Sequence, residues 1–127
     1  MEIVKGKKFL QRMAIILIVE EKICMLYNKL VRDKIPEIIE KDGREAVYHV
    51  LQEVDFIAEL DKKLNEEVKE YQKDKSLEEI ADILEVLYAI CKARGYTVEE
   101  LDAKCKEKSE ERGAFDKKLY LEYVMSH

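Results

Sequence analysis

Acidic side chains occur in two groups with the same spacing on neighbouring segments of the chain. Each group has two adjacent carboxylates and a third three residues later: Glu66, Glu67 and Glu70, then Glu78, Glu79 and Asp82. Residues three apart on a helix are separated by about 60° around its axis, so they project from one face. Converging carboxylates repel one another, and a divalent cation with oxygen ligands relieves that repulsion. The pattern predicts a magnesium site, and magnesium sites usually serve phosphate chemistry.

The spacing by itself is weak evidence, because 28 of the 127 residues are acidic and about six pairs spaced three apart are expected by chance. Solvated helix faces explain most such pairs. Two features favour a metal site here. Glu79 and Asp82 lie on the arc of their helix that continues with Val86 and Ala89, and Glu67 borders the apolar stripe of the preceding helix. Carboxylates in these positions would be costly to bury without a partner.

Glu79 has a competing role. Ser76 and Glu79 have the spacing of a capping box, in which the Glu79 carboxylate bonds back to the backbone amide of Ser76. Glu79 cannot fill both roles fully. A metal site therefore requires the Ser76 hydroxyl to cap the helix alone.

The segments that carry the acidic groups are predicted to be helices, since the chain has only 4 Gly and 1 Pro. Apolar periodicity and capping residues predict helices over about 35–42, 54–74, 76–94 and 97–113. Asp33 is a candidate cap for the first helix, and residues 45–51 form a short strand or an extended link. The connection near 74–75 is short enough to force an antiparallel hairpin, which would bring the two acidic groups opposite each other. Residues 115–124 are expected to pack back on the bundle.

The predicted fold class is all-α, a bundle of about four to five helices formed by residues 27–127. Residues 1–26 are assigned as an N-terminal extension with a possible short strand in the apolar run 14–19. Met13 and Met25 are both plausible starts, so a misassigned start codon would explain the extension. Six apolar residues are too few for a membrane span, and Glu20 and Glu21 follow them directly.

Composition excludes several other classes of protein. A net charge of -5 argues against binding duplex nucleic acid, which needs a basic surface. The three cysteines, Cys24, Cys91 and Cys105, show no CxxC spacing, so a disulfide scaffold or zinc site is not expected and a reducing cytoplasm is the natural location. No pair of nucleophile and base and no Gly-rich phosphate loop is present, which argues against covalent and P-loop chemistry.

The two acidic groups, together with a later basic motif, resemble the signature of the MazG-like all-α nucleoside triphosphate pyrophosphohydrolases. This superfamily includes dimeric dUTPases and phosphoribosyl-ATP pyrophosphatase. The later motif is similar to the family's K-x-x-x-R-G-G-F element and consists of Lys108, Arg112, Gly113, Ala114 and Phe115. Ala114 replaces the family's second glycine, and its methyl group would hinder close approach of a ligand to the backbone. The resemblance covers about residues 25–116, and residues 27–36 (YNKLVRDKIP) look like the opening of the small phosphoribosyl-ATP pyrophosphohydrolase-like branch.

The resemblance implies a metal site and a reaction. Mg²⁺, for which Mn²⁺ can substitute, would be held by Glu67, Glu70, Glu79 and Asp82. Water would attack the α-phosphorus of a nucleoside triphosphate and release a monophosphate and pyrophosphate, as in house-cleaning enzymes that act on non-standard or excess nucleotides. Two further carboxylates are candidate general bases, although simple solvation also explains their outward position: Glu66 and Glu78.

Cationic and amide side chains are the candidate substrate contacts: Asn28, Lys29, Arg32, Lys108 and Arg112. Lys108 and Arg112 share a helix face and could clamp a polyphosphate, or could instead pair with neighbouring glutamates such as Glu107. Asn28 could recognise a base or sugar, or could be a turn residue. The predicted partners are a nucleotide and further copies of the chain, with no membrane. A hairpin with a wide apolar circumference cannot cover itself, so a homodimer or homotetramer is expected.

Two alternative functions remain. Phosphoribosyl-ATP pyrophosphatase activity would use the same metal chemistry. A non-catalytic helical module that senses nucleotides or mediates interactions would keep the scaffold without turnover.

Overall fold

A computed structural model describes residues 15–19 and 22–126 of the chain, with side chains from Ile23 to Ser126. This part of the chain forms two strands and four helices: β1 (Ile15–Val19), β2 (Lys22–Leu26), α1 (Ile35–Lys41), α2 (Glu53–Asp74), α3 (Leu77–Ala93) and α4 (Val98–Arg112). The mostly helical character predicted from the sequence is confirmed. None of the described helices has the length and apolar content needed to cross a bilayer.

β1 and β2 form an antiparallel hairpin in which Ile15 lies opposite Leu26 and Val19 lies opposite Lys22. A strand was expected in the apolar run 14–19, and β1 confirms it, since β-branched residues favour the pleated backbone. β2 was not predicted. Its sequence, KICML, has a single β-branched residue and gives little signal without a partner strand.

The described chain divides between Glu66 and Glu67, inside α2, into two compact units. In the first unit, α1 begins without a side-chain cap. The predicted Asp33 cap is wrong, because a turn closed by the Ile35 N–H bonding to the Arg32 carbonyl (3.1 Å) leads directly into the helix. α1 ends as expected at Gly43, whose φ of +83° lies in the left-handed region that glycine adopts easily.

The segment between α1 and α2 has no regular structure. The strand alternative for residues 45–51 is therefore wrong, and the segment is an irregular link. Val47 and Val50 are about nine-tenths exposed, at 91% and 90%. A strand needs a neighbour to satisfy its backbone and cover its side chains, and these valines have no such cover.

In the second unit, hydroxyl side chains cap the N-termini of α3 and α4. The Ser76 hydroxyl accepts the Glu79 N–H at 3.3 Å, and the Thr97 hydroxyl accepts the Glu100 N–H at 3.1 Å. The buried thiol of Cys91 donates to the Thr97 carbonyl at 3.3 Å and so joins the end of α3 to the start of α4. The observed ends of both helices lie within one residue of the predicted ones.

The expectation that residues 115–124 pack back on the helices is wrong. Residues 113–126 are irregular and exposed, with Phe115 at 95% and Tyr120 at 90% exposure. The preceding helix, α4, is polar around its circumference and contains no buried residue. It therefore offers no apolar face on which this segment could pack.

We expect Ser76→Ala to lower the free energy of unfolding by about 0.5–2 kcal/mol, because the substitution removes the hydroxyl that satisfies the first turn of α3. Urea unfolding followed by circular dichroism measures the change. Ser109→Ala is the matched control, because Ser109 is an exposed interior residue of α4 and alanine favours helix there. Equal losses in the two variants would contradict the capping role of Ser76.

Candidate metal centre

Three carboxylates from the two predicted acidic groups meet in the second unit. One oxygen each from Glu67, Glu79 and Asp82 lies within 4.8 Å of the other two. Glu67 is 1% exposed and Glu79 is 8% exposed, and the Oε2 atoms of both are shielded from solvent. We call this group the acidic triad. Glu79 is buried and Asp82 is half-buried, as expected from their position on the arc of α3 that continues with buried Val86.

A two-residue connection between α2 and α3 brings the triad together. Lys75 adopts a left-handed backbone conformation, with φ of +54°, and its N–H donates to the Tyr71 carbonyl at 2.7 Å to close α2. The Lys75 ammonium lies 5.2 Å from the centre of the Tyr71 ring, a cation–π contact that holds the side chain on the end of the helix. The chain then reverses and places Glu67 opposite Glu79 and Asp82.

The competition for Glu79 is resolved by the Ser76 hydroxyl. It accepts the Glu79 N–H and donates to the Asp74 carboxylate at 3.3 Å, so the cap is made by the hydroxyl. The Glu79 carboxylate lies in the acidic triad instead. The backbone N–H of Glu79 takes part in the helix cap, and its carboxylate belongs to the acidic triad.

The electrostatics of the acidic triad favour a hard cation. Two unit charges at the 4.8 Å limit of the cluster repel by on the order of 3 kcal/mol at an effective dielectric constant of about 20. Carboxylate oxygens are the ligands that Mg²⁺ and Mn²⁺ prefer, and Mg²⁺ usually retains several waters beside a few carboxylates. Three converging carboxylates could therefore hold such a cation together with bound waters.

Glu70, the fourth predicted ligand, lies outside the acidic triad. It follows Glu67 by three residues on α2 and is half-buried, but its carboxylate is not among the oxygens that lie within 4.8 Å of one another. The structure thus brings together three of the four predicted ligands.

Glu66 takes part in an ion pair in the first unit. The Lys29 ammonium donates to Glu66 Oε1 at 3.0 Å, and the Lys63 ammonium lies 3.7 Å from the same oxygen. All three side chains are largely buried, at 9%, 18% and 8% exposure for Lys29, Glu66 and Lys63 respectively. Glu66 therefore joins the segment before α1 to α2. The alternative that its carboxylate is simply solvated is wrong. Lys29 and Glu66 are 37 positions apart in the sequence, which explains why local spacing gave no signal of this contact.

The remaining predicted site residues are exposed: Glu78, Asn28, Arg32, Lys108 and Arg112. Asn28 has φ of +45°, the geometry of the turn-residue alternative. Glu107 forms its ion pair with Lys104 at 3.1 Å. Neither Lys108 nor Arg112 forms an ion pair within the part of the chain that the structure describes.

No known protein family, curated protein or solved structure matches this chain. The resemblance to MazG-like pyrophosphohydrolases therefore rests on the motif residues themselves.

We expect Mn²⁺ to bind the native chain and raise its melting temperature, since a ligand that binds only the folded state stabilises it by about 2.7 kcal/mol at 100 times its dissociation constant. Asp82→Asn removes a charged ligand and should weaken Mn²⁺ binding at least tenfold, of the order found when metal-site groups are altered. Isothermal titration calorimetry and thermal unfolding with and without Mn²⁺ provide the two readouts.

Glu85→Gln is the control for this prediction, because Glu85 is exposed on α3 outside the acidic triad. Its Mn²⁺ affinity should match that of the native chain. If Asp82→Asn binds Mn²⁺ as tightly as Glu85→Gln, the acidic triad is not the metal site.

The ion pair between Lys29 and Glu66 should contribute more to stability than an exposed pair does. Lys29→Met removes a hydrogen bond to a mostly buried carboxylate, and we expect a loss of about 1.5–3 kcal/mol in the free energy of unfolding. Lys104→Met removes an ion pair whose side chains are 64% and 62% exposed and should cost less than about 1 kcal/mol. Urea unfolding of both variants makes the comparison. A smaller loss of unfolding free energy in Lys29→Met than in Lys104→Met would show that the buried ion pair does not stabilise the fold.

Proposed function

We propose that this chain is a Mg²⁺-dependent nucleotide pyrophosphohydrolase that cleaves a nucleoside triphosphate to a monophosphate and pyrophosphate. The observation that supports the proposal best is the convergence of Glu67, Glu79 and Asp82 across the α2–α3 connection. The two acidic groups that resemble the MazG-like signature thus contribute to one cluster. A house-cleaning role on non-standard or excess nucleotides is the substrate class that the resemblance favours.

The acidic triad is the proposed metal-binding set, with Glu70 as a further ligand implied by the resemblance. When bound, Mg²⁺ neutralises charge on the phosphate oxygens and activates or orients a water molecule. The water oxygen forms a new bond to the α-phosphorus, the bond from that phosphorus to the oxygen bridging to the β-phosphorus breaks, and pyrophosphate leaves. Buried Glu67 and Glu79 fix the position of their oxygens, which limits reorganisation during the reaction.

A general base must accept a proton from the attacking water. Glu66 is the weaker of the two candidates, because the Lys29 and Lys63 ammonium groups already surround its Oε1 atom. Glu78 is exposed in the first turn of α3, directly before Glu79. We therefore assign the base role to Glu78 within this proposal.

Substrate phosphates require cations besides the metal. Lys108 and Arg112 are four residues apart on α4, so they share one face, and both are exposed. Arg112 presents a planar guanidinium suited to bidentate phosphate contacts, and Lys108 adds a compact charge. Asn28, Lys29 and Arg32 belong to the first unit and stay candidate substrate contacts by sequence alone, with Lys29 bound to Glu66 in the structure.

We also propose that the functional form is a homo-oligomer, a dimer or a tetramer. Apolar side chains surround most of α3, yet several of them are exposed in the described part of the chain. Val86 is 8% exposed, whereas Leu77 is 80% exposed and Ile80 is 48% exposed. A helix that is apolar on opposite sides is stable when both sides are buried.

The activity test measures Mg²⁺-dependent pyrophosphate release from a panel of nucleoside triphosphates and phosphoribosyl-ATP, by phosphate detection after added pyrophosphatase. The native chain should release pyrophosphate from at least one nucleotide. Glu79→Gln should reduce kcat about 100-fold or more, because loss of a group that only orients a metal ligand already costs about 10–100-fold.

Glu85→Gln, on the same helix but outside the acidic triad, should retain kcat within about twofold. Turnover of phosphoribosyl-ATP alone would identify that substrate class in place of house-cleaning. Tight nucleotide binding without turnover across the panel would refute the enzyme and support a nucleotide sensor.

A further inference from the structure

Residues 113–126 form an apolar segment whose side chains are exposed in the described part of the chain. We call residues 113–126 the C-terminal arm. Seven of its side chains are between 68% and 95% exposed: Phe115, Leu119, Tyr120, Leu121, Tyr123, Val124 and Met125. Exposed apolar surface of this extent marks an interaction site.

α4 separates the C-terminal arm from the apolar part of its own unit. This helix has 15 residues, which at about 1.5 Å each gives it a length of roughly 22 Å. It contains no buried residue, so it carries the arm without packing against it. Gly113, with φ of +84°, ends the helix and begins the arm.

The same unit has a second uncovered apolar surface, on α3. Leu77, Ile80, Leu84 and Leu87 follow the 3-4-3 spacing of one helical stripe and are 80%, 48%, 44% and 39% exposed. We call these four residues the outer stripe. It lies on the other side of α3 from Val86, which is buried.

We propose that the outer stripe of α3 is covered by the C-terminal arm of a second copy of this chain, in a reciprocal exchange of arms. The two surfaces belong to the same unit and are both exposed in one chain. A two-fold exchange covers both surfaces in both copies and closes the assembly.

The area available matches a stable dimer. Three aromatic side chains of the arm, Phe115, Tyr120 and Tyr123, each bury on the order of 150–250 Å² when fully covered. Two arms therefore bury on the order of 1,000 Å² through their aromatic residues alone, and the aliphatic residues and both outer stripes add to this. Specific interfaces begin at about this size.

Charge disfavours self-association of two outer stripes more than it disfavours this pairing. Glu78 and Glu85 are exposed and lie seven residues apart along one flank of the outer stripe. α3 has no basic residue before Lys92, so two such flanks would repel each other. The arm carries Lys117 and Lys118 against Asp116 and Glu122, so it has no net charge and does not repel the acidic flank.

Cysteine cross-linking between differently labelled chains tests the exchange. In a background of Cys24→Ser and Cys105→Ser, one preparation carries Leu84→Cys in the outer stripe and the other carries Tyr120→Cys in the arm. Mild oxidation of the mixture should give a disulfide-linked dimer that contains one chain of each kind. A third preparation carries both substitutions in one chain. A disulfide within that chain leaves its mass unchanged but alters its mobility on a non-reducing gel, which separates it from a cross-linked dimer.

A disulfide formed only within the doubly substituted chain would overturn the proposal, because the arm would then cover its own α3. Dimers linked only through Leu84→Cys on both chains would also overturn it, since the outer stripes would then pair directly. Light scattering that shows the native chain to be a monomer would also overturn the proposal.

A second measurement does not depend on new cysteines. Replacing Tyr120 and Tyr123 together by Ser should shift the mass from two chains toward one, with unchanged helical circular dichroism. Tyr48→Ser is the matched control, because Tyr48 is 65% exposed in the link before α2, and it should leave the mass unchanged. These readouts report assembly alone, so their outcome is separate from that of the pyrophosphate assay.

Discussion

The approach of three negative charges across the α2–α3 connection is the constraint on which the rest of this structure depends. Glu67 is almost completely buried, and like charges at such distances repel by several kcal/mol in total unless a cation or other compensating charge lies near them. The chain could avoid this repulsion simply by turning α3 about its axis. The apolar residues of the same arc, Val86 above all, oppose that rotation, because it would bring them into water. Packing of α3 therefore keeps the acidic residues together.

α3 has two sides of different character. One arc carries the acidic triad and the buried Val86, and the opposite side carries the outer stripe. Assembly through the outer stripe would fix the orientation of α3, and the orientation of α3 determines where Glu79 and Asp82 point. In the proposed assembly the outer stripe and two members of the acidic triad would belong to one helix, although no residue of the outer stripe is a member of the acidic triad.

Sequence patterns predicted the parts of this structure that are determined locally. Ser76 and Thr97 marked helix starts because capping uses a hydroxyl and an amide only three residues apart. The facing of Glu79 and Asp82 toward the interior followed from helical periodicity. Contacts between distant residues left no such pattern, as the pair of Lys29 and Glu66 illustrates. The arm was wrongly predicted because its apolar residues indicate burial without indicating what covers them, and α4 lacks the apolar face that would do so.

The backbone of Lys75 has a consequence for the behaviour of the hairpin as a whole. A residue with a β-carbon held at φ of +54° carries a strain of about 1–2 kcal/mol, which glycine would avoid. The chain accepts this strain in the two-residue connection that brings the carboxylates together, so the strain of the turn and the mutual repulsion of the carboxylates both oppose the closed hairpin. An ion bound at the proposed centre would offset the repulsion and leave the strain of the turn unchanged.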